Sequence, residues 1–393
     1  MRLDFVESAN STYANAAISL PASVSASTNV VTSIRPEVRN VAIVGFGNSA
    51  HALGSYLSLK GHRISYLTRK EEEADREITA FGAFEARFSP VKISNDWDQV
   101  VNSSDTIFIA TVATAYRDIA ARLAPALRKE QVVVLFSSKL GGVLEFKEAL
   151  KEFNAPDCDV IETDALFACR LQPGDRVWVR GVKKWNLYTG CCPESTRQKG
   201  ARLTEFFPGL VPADNFIHRG LTDFGALTHS LNMIVNMNAI DRGEEYSFYY
   251  EGFTRNTIKL LEQMEAEFNA VAGRYATTLI PAKELLNRYY GSSTRSLYDA
   301  LTTVPNYKFS KAPTTLQHRY LIEDVGCTLI PLKQLAELAG VKTPLINSVI
   351  CMAGILTDTD FEKDGRTLDK LGLGGKSYEE VWRIVNKGSA RAL

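Results

Sequence analysis

Residues 41–57 read VAIVGFGNSAHALGSYL. An apolar, β-branched run enters Gly45-Phe46-Gly47-Asn48-Ser49-Ala50 and leaves it as a segment at helical spacing that carries Gly54. Strand, glycine turn and helix in that order form the phosphate-binding corner of a parallel α/β sheet. Gly45 lets the chain turn tightly, Gly47 lets the backbone approach a pyrophosphate, and Ala50 with Gly54 lets the helix lie close to the sheet. Asn48 and Ser49 fall in the first helical turn, where unpaired N–H groups and the positive dipole end favour an anion. A strand-to-helix turn without a ligand would tolerate the same small residues. The second strand, RISYL at 63–67, is what makes the pattern that of a dinucleotide site.

The end of that second strand selects the cofactor. An NAD site places a carboxylate there for the ribose 2′-OH, whereas this chain has Thr68-Arg69-Lys70. A guanidinium binds a 2′-phosphate bidentately and stacks on adenine, so NADP(H) is the preferred expectation. NAD(H) stays open, because Glu71, Glu72 or Glu73 could take the ribose if the strand ends later.

Outward from the turn, short β-branched runs alternate with amphipathic segments. Candidate strands fall at 41–44, 63–67, 106–110, 132–136 and 159–162, followed by a pair, 176–180 with 185–188. The predicted fold is α/β: a Rossmann domain with a doubly wound parallel sheet over 38–213, then an all-α domain over 214–393. In the latter, Ile258, Leu261, Met264, Phe268 and Val271 share one helical face. Pro281, Pro331 and Pro344 are each expected to open a helix, where a missing N–H costs nothing. Residues 1–37, rich in Ser, Ala, Thr and Asn, read as a poorly ordered extension without the features of a secretory signal.

Composition narrows the function classes. The 393 residues carry 45 basic and 45 acidic side chains, so no net field draws nucleic acid or an anionic membrane. No apolar run approaches the ~20 residues of a membrane span. The six cysteines show no zinc-ligand spacing, which excludes a protein-bound metal from the reading and fits a reducing, cytoplasmic setting. The partner is therefore a small molecule in a pocket, and the assembly carried as an expectation is a homodimer.

Two segments of the second half offer chemistry. His229 lies in the apolar GALTHSLNMIVNMNAI, although a histidine on such a helix is more often a hydrogen-bonded core residue than a catalyst. Arg319 and Asp324 stand in HRYLIEDVGCTLIPLKQLAELAG with Glu323 beside them, a spacing that an ordinary surface ion pair also shows.

Across residues 40–390 the chain resembles the octopine/nopaline (opine) dehydrogenase family. The matching segments are IVGFGNSAHALG, IETDALFACR, LTHSLNMIVN, FYYEG, APTTLQHRYLIEDV with LIPLKQLAELAGVKTPLINSVI, and DGRTLDKLGLGG, in the family's order. The resemblance implies two domains closing over a cleft, in which an amino acid or related amine condenses with a 2-oxo acid and the imine is reduced. It makes His229 the catalytic histidine, Asp324 the acid that orients it, and Arg319 the anchor of a substrate carboxylate. Asn236, about two helical turns past His229, is expected to contact substrate. An imidazole held by a carboxylate can protonate the oxygen that leaves as water and retake the proton.

This chain departs from the family pattern in having His229-Ser230 for His-Pro and Thr111-Val112-Ala113 for Val-Pro-Ala. Thr111 then faces the cofactor and Tyr116, at an often polar position, the substrate. These changes leave the chemistry intact and point away from pyruvate with a common amino acid. Two alternatives remain: an NADP-dependent hydroxy-acid dehydrogenase, which usually employs a lysine, and a non-catalytic dinucleotide sensor.

Overall fold

The β-branched runs assemble on the glycine turn. In the computed structural model, which describes residues 37–69 and 76–388, the strands are β1 (Asn40–Val44), β2 (Arg63–Leu67), β3 (Ile78–Gly82), β4 (Ala86–Phe88), β5 (Lys92–Ser94), β6 (Thr106–Ile109), β7 (Val132–Phe136), β8 (Asp159–Thr163), β9 (Phe167–Gln172), β10 (Arg176–Val182), β11 (Asn186–Thr189) and β12 (Leu210–Pro212). The main sheet runs β12-β11-β8-β7-β6-β1-β2-β5. From β8 to β5 neighbouring strands are parallel, and β11 is antiparallel to β8. The chain builds outward from β1 in both directions, so a crevice opens between β1 and β6 at the strands' carboxyl ends. Register aligns Val44 with Leu67 on one side and Ile109 on the other, bringing Gly45, Thr68 and Ala110 into one row.

The expected pairing of 176–180 with 185–188 is not formed. β10 belongs to a second sheet, β4-β3-β10-β9, while β11 joins the main one. Burial explains the separation: β10 alternates, covering Val177 and Val179, whereas all four residues of β11 are buried. A half-buried strand suits a sheet with one solvated face, and a fully buried strand a sheet covered on both. The short strands β3, β4, β5 and β12 have too little apolar patterning to stand out in sequence.

After β12 the regular structure of the described residues is helical, with one isolated bridge, Ser247 with Lys311. The stripe Ile258, Leu261, Met264, Phe268 and Val271 is buried along the helix Arg255–Arg274. That core is continuous with the sheet: Val44, Leu135 and Phe146 pack in one cluster with Phe216, Leu231 and Phe268. Pro281 caps the helix Ala282–Tyr290 and Pro344 opens Pro344–Thr357. Pro331 stands in the first turn of the helix Ile330–Leu338, as expected, but that helix continues an earlier one. It follows a π-helical turn, Val325–Leu329, that joins Arg319–Asp324 to Ile330–Leu338. Proline cannot bond to the carbonyl four residues back and clashes with it, and a widened turn relieves the clash. The freed Cys327 carbonyl accepts from Arg366 Nη1 at 3.4 Å.

The extension at residues 1–36 and the segment Lys70, Glu71, Glu72 and Glu73 lie outside the described residues. Among the described residues no helix is long and apolar enough to cross a membrane.

Candidate active site

A cleft of about 880 Å³ runs from the glycine turn to His229, with the sheet's carboxyl edge as one wall and the helical half as the other. At the turn, Gly45 has φ +112°, and a Cβ there would lie 2.8 Å from the Ala110 carbonyl oxygen, so only glycine fits. Gly47 caps the helix Asn48–Leu59 in an extended conformation without any side-chain cap, and a Cβ on it would meet nothing within 4 Å. Open space at a helix N-terminus leaves room for an anion such as a pyrophosphate. Ala50 is buried beneath it, its carbonyl accepting from the Tyr66 hydroxyl at 3.3 Å. Gly54 is compelled by the same ring, since a Cβ would fall 1.9 Å from the Tyr66 oxygen.

The Asn48 side chain faces the second sheet, Oδ1 accepting from the Leu171 N–H at 2.8 Å, which leaves the first turn's donors to a ligand. Ser49, Thr68, Arg69 and Thr111 line the cleft. Arg122, stacked over Trp97 at 5.7 Å, lines the same end as Arg69 and adds a second guanidinium that sequence reading missed.

At the other end His229 projects from the helix Phe224–Val235. Its Nδ1 lies 2.7 Å from Asp324 Oδ2, its Nε2 lies 3.0 Å from the Tyr249 hydroxyl, and its ring stacks on Tyr320 at 3.9 Å. Burial works against charge on Asp324, but the Lys139 ammonium and His229 outweigh it and hold the carboxyl below its ordinary range. An ionised carboxylate only accepts, so Nδ1 carries the proton and Nε2 accepts from Tyr249.

Lys139 is another group that sequence reading did not single out. Its Nζ lies 2.6 Å from Asp324 Oδ1 and 2.8 Å from Asp223 Oδ2, all three side chains being buried. Burial opposes its charge, and the two carboxylates raise it well above the ordinary lysine range. Asp223 in turn caps the His229 helix, accepting from the Gly225 and Ala226 N–H groups. A charged chain Asp223, Lys139, Asp324, His229 therefore couples the loop after β7 to two helices. Buried Arg219 fixes that loop, bonding the Ser138 and Lys139 carbonyls at 2.7 Å and Glu162 at 3.0 Å.

Arg319 projects into the cleft with about half its side chain accessible (51%), 3.5 Å from Glu323. Glu323 is no surface group: it is buried, and its Oε1 accepts from the Ala113 N–H at 2.7 Å.

Two expected substrate contacts lie elsewhere. Tyr116 is wholly buried, packed edge-on against Phe146 and under Arg366, because it shares the inner face of the helix Tyr116–Leu123 with Ala120 and Leu123. Asn236 falls where the His229 helix has ended, so the two-turn periodicity no longer applies. Its Nδ2 donates to the Asn232 and Gly252 carbonyls. With Asn232, which donates to the Phe248 carbonyl, it holds the FYYEG segment so that Tyr249 meets His229. The FYYEG segment was legible as a match; the pairing of its second aromatic with the imidazole was not.

Residues 212–357 match a family model described as NAD/NADP octopine/nopaline dehydrogenase, alpha-helical domain, and residues 40–138 match one described as NADP oxidoreductase coenzyme F420-dependent. The chain is 33% identical to the opine dehydrogenase of Arthrobacter sp. (strain 1C), covering 86% of this chain and 96% of that protein. Among solved structures, an octopine dehydrogenase with NADH and L-arginine superposes with a TM-score of 0.70 at 20% identity, over 88% of this chain and 98% of that one. An NADP+-bound yersinopine dehydrogenase superposes at 0.69 with 15% identity, over 88% and 99%. Sheet, cleft and sequence agree: the chain belongs to the opine dehydrogenase family of NAD(P)-dependent oxidoreductases acting on CH–NH bonds.

Proposed function

We propose that the protein condenses an amino acid or related amine with a 2-oxo acid and reduces the imine with NADPH, with NADH as the weaker cofactor. The observation that carries this reading is the His229–Asp324 pair at 2.7 Å, standing in the same cleft as the glycine cradle. When bound, the nicotinamide supplies the hydride. Gly45, Gly47 and the first-turn N–H groups of Asn48 and Ser49 hold the pyrophosphate, Thr111 faces the cofactor, and Thr68, Arg69 and Arg122 hold the adenosine end. Two guanidiniums at that end favour a 2′-phosphate.

Arg319 anchors the 2-oxo acid carboxylate. His229 takes a proton from solvent at Nε2 and donates it to the carbonyl oxygen as water departs, while Asp324 fixes the ring and stabilises the imidazolium. Tyr249 occupies Nε2 until substrate displaces its hydroxyl. Lys139 keeps Asp324 ionised. A lysine-based hydroxy-acid mechanism fits poorly, because Lys139 is buried between two carboxylates that hold its proton. Six free thiols suit a reducing, cytoplasmic setting.

The test is a matrix of 2-oxo acids and amines with NADPH and NADH, followed at the nicotinamide absorbance. Oxidation is expected only when both partners are present, more efficiently with NADPH, and His229→Ala is expected to abolish it while cofactor binding persists. Oxidation by an oxo acid alone overturns the reading.

A further inference from the structure

The cleft contains a fourth arginine, Arg180, which has no role beside those of Arg69, Arg122 and Arg319. It sits on β10 at a break in register: Val179 pairs with Cys169 and Gly181 with Ala168, so Arg180 is the extra residue of a β-bulge. Bulges re-aim a side chain out of the ladder and are common beside active sites. This one is specified by its surroundings. The Arg180 carbonyl accepts from Asn306 Nδ2 at 2.9 Å, and a Cβ at position 181 would fall 2.2 Å from that same nitrogen, which requires Gly181.

The side chain is held as deliberately as the backbone. Nη1 donates to the Ser310 hydroxyl at 2.7 Å, while Nε is buried without a partner. Among the described residues no carboxylate lies within ion-pair distance of Arg180, although every neighbouring acid has a cation: Asp164 has Lys183, Glu323 has Arg319, and Asp324 and Asp223 have Lys139. A fixed guanidinium with a vacant, desolvated donor and no counter-charge is an incomplete carboxylate receptor. It shares the cleft with Arg319, and both charges act on the same Cys169 thiol, whose value burial pushes up to about 12.

We propose that Arg180 binds the carboxylate of the amine substrate, making this enzyme specific for α-amino acids over the corresponding bare amines. This rests on the reductive condensation proposed above. That reaction joins two carboxylate-bearing carbons through one nitrogen. With Arg319 on the oxo-acid carboxylate, the product's second carboxylate needs a second cation, and Arg180 supplies it.

The experiment compares wild type, Arg180→Met, Arg180→Lys and Ser310→Ala with NADPH and pyruvate, pairing L-alanine with ethylamine, L-arginine with agmatine, and L-phenylalanine with phenethylamine. Wild type is expected to prefer each amino acid to its decarboxylated amine. In Arg180→Met the KM for the amino acid should rise about 10- to 100-fold, as for a lost charged hydrogen bond, with the KM for pyruvate and for the bare amine little changed. Arg180→Lys should recover part of that loss. Ser310→Ala, which only loosens the guanidinium, should show a smaller rise of the same kind and stands in if Arg180→Met fails to fold. Equal use of amines and amino acids by wild type, or a rise confined to the pyruvate KM, overturns the assignment of Arg180 and leaves the proposed function standing. Oxidation of NADPH by pyruvate alone, or by no pair of the full matrix of 2-oxo acids and amines, overturns the proposed function and the assignment with it.

Discussion

At the scale of single residues, the site is governed by one buried ammonium between two carboxylates. Replacing Lys139 with Met leaves Asp223 and Asp324 buried without their cation, which should cost about 3–5 kcal/mol. Urea unfolding measures it, and a loss below 1 kcal/mol would show that the chain of charges is not coupled as described. Asp324→Asn tests the same chain from its other end. An amide can present a donor to Nδ1, so the imidazole loses its fixed tautomer, and kcat is expected to fall roughly 10²- to 10⁴-fold. Its stability effect has a defined pH window. Because the folded value lies below the ordinary 3.8, the ionised carboxylate contributes fully above that value and loses its contribution as pH falls through the folded one. The Tm gap between wild type and Asp324→Asn should therefore be widest near neutrality and close on acidification. A gap that stays constant would locate the stabilisation elsewhere.

At the scale of elements, two helix N-termini make opposite demands. The helix Asn48–Leu59 begins at Gly47, whose φ of −100° is open to any L-residue and whose missing Cβ faces empty space. Gly47→Ala should leave the unfolding free energy of the cofactor-free protein within about 0.5 kcal/mol of wild type yet weaken NADPH binding at least tenfold, as calorimetric titration would show. Gly45→Ala should instead destabilise the fold, since its φ and the Ala110 carbonyl both reject a side chain. The helix Pro193–Phe206 is capped by Cys192, whose Sγ accepts from the Ser195 N–H at 3.4 Å. A hydrogen bond from the Cys191 thiol, reinforced by the Ser195 and Glu194 N–H groups, brings Cys192 down to about 6. Burial pushes Cys158 up to about 11 and Cys327 to about 12. Iodoacetamide at neutral pH is therefore expected to label Cys192 well before either of them. Labelling in any other order would contradict the cap.

At the scale of the whole molecule, the sheet and the helices share one core, and Arg366 ties them. Its guanidinium, 1% exposed, pairs with Glu145 and donates to the carbonyls of Leu140, Cys327 and Ala113, which belong to three separate segments. Unfolding followed by tryptophan fluorescence and far-UV circular dichroism should give coincident single transitions, and Arg366→Met should shift both together. Two separated transitions would mean that the halves fold independently.

The sequence by itself determined the glycine turn, the parallel strands β1, β2, β6, β7 and β8, and the buried stripe from Ile258 to Val271. These are local: a period, a small residue at a sharp turn, or a β-branched run carries its reason within a few positions. It also marked His229, Asp324 and Arg319 as candidates through matching segments. Only the tertiary structure decided what those residues touch. Lys139 reaches Asp324 from the loop after β7, Tyr249 reaches His229 from FYYEG, and Arg180 turns into the cleft because a bulge and Asn306 aim it. The same logic removed Tyr116 and Asn236 from the cleft, since an inward helix face and the end of a helix are set by packing against distant segments. Electrostatic pairing and side-chain direction act through space, and residues far apart in sequence meet only once the two halves have packed together.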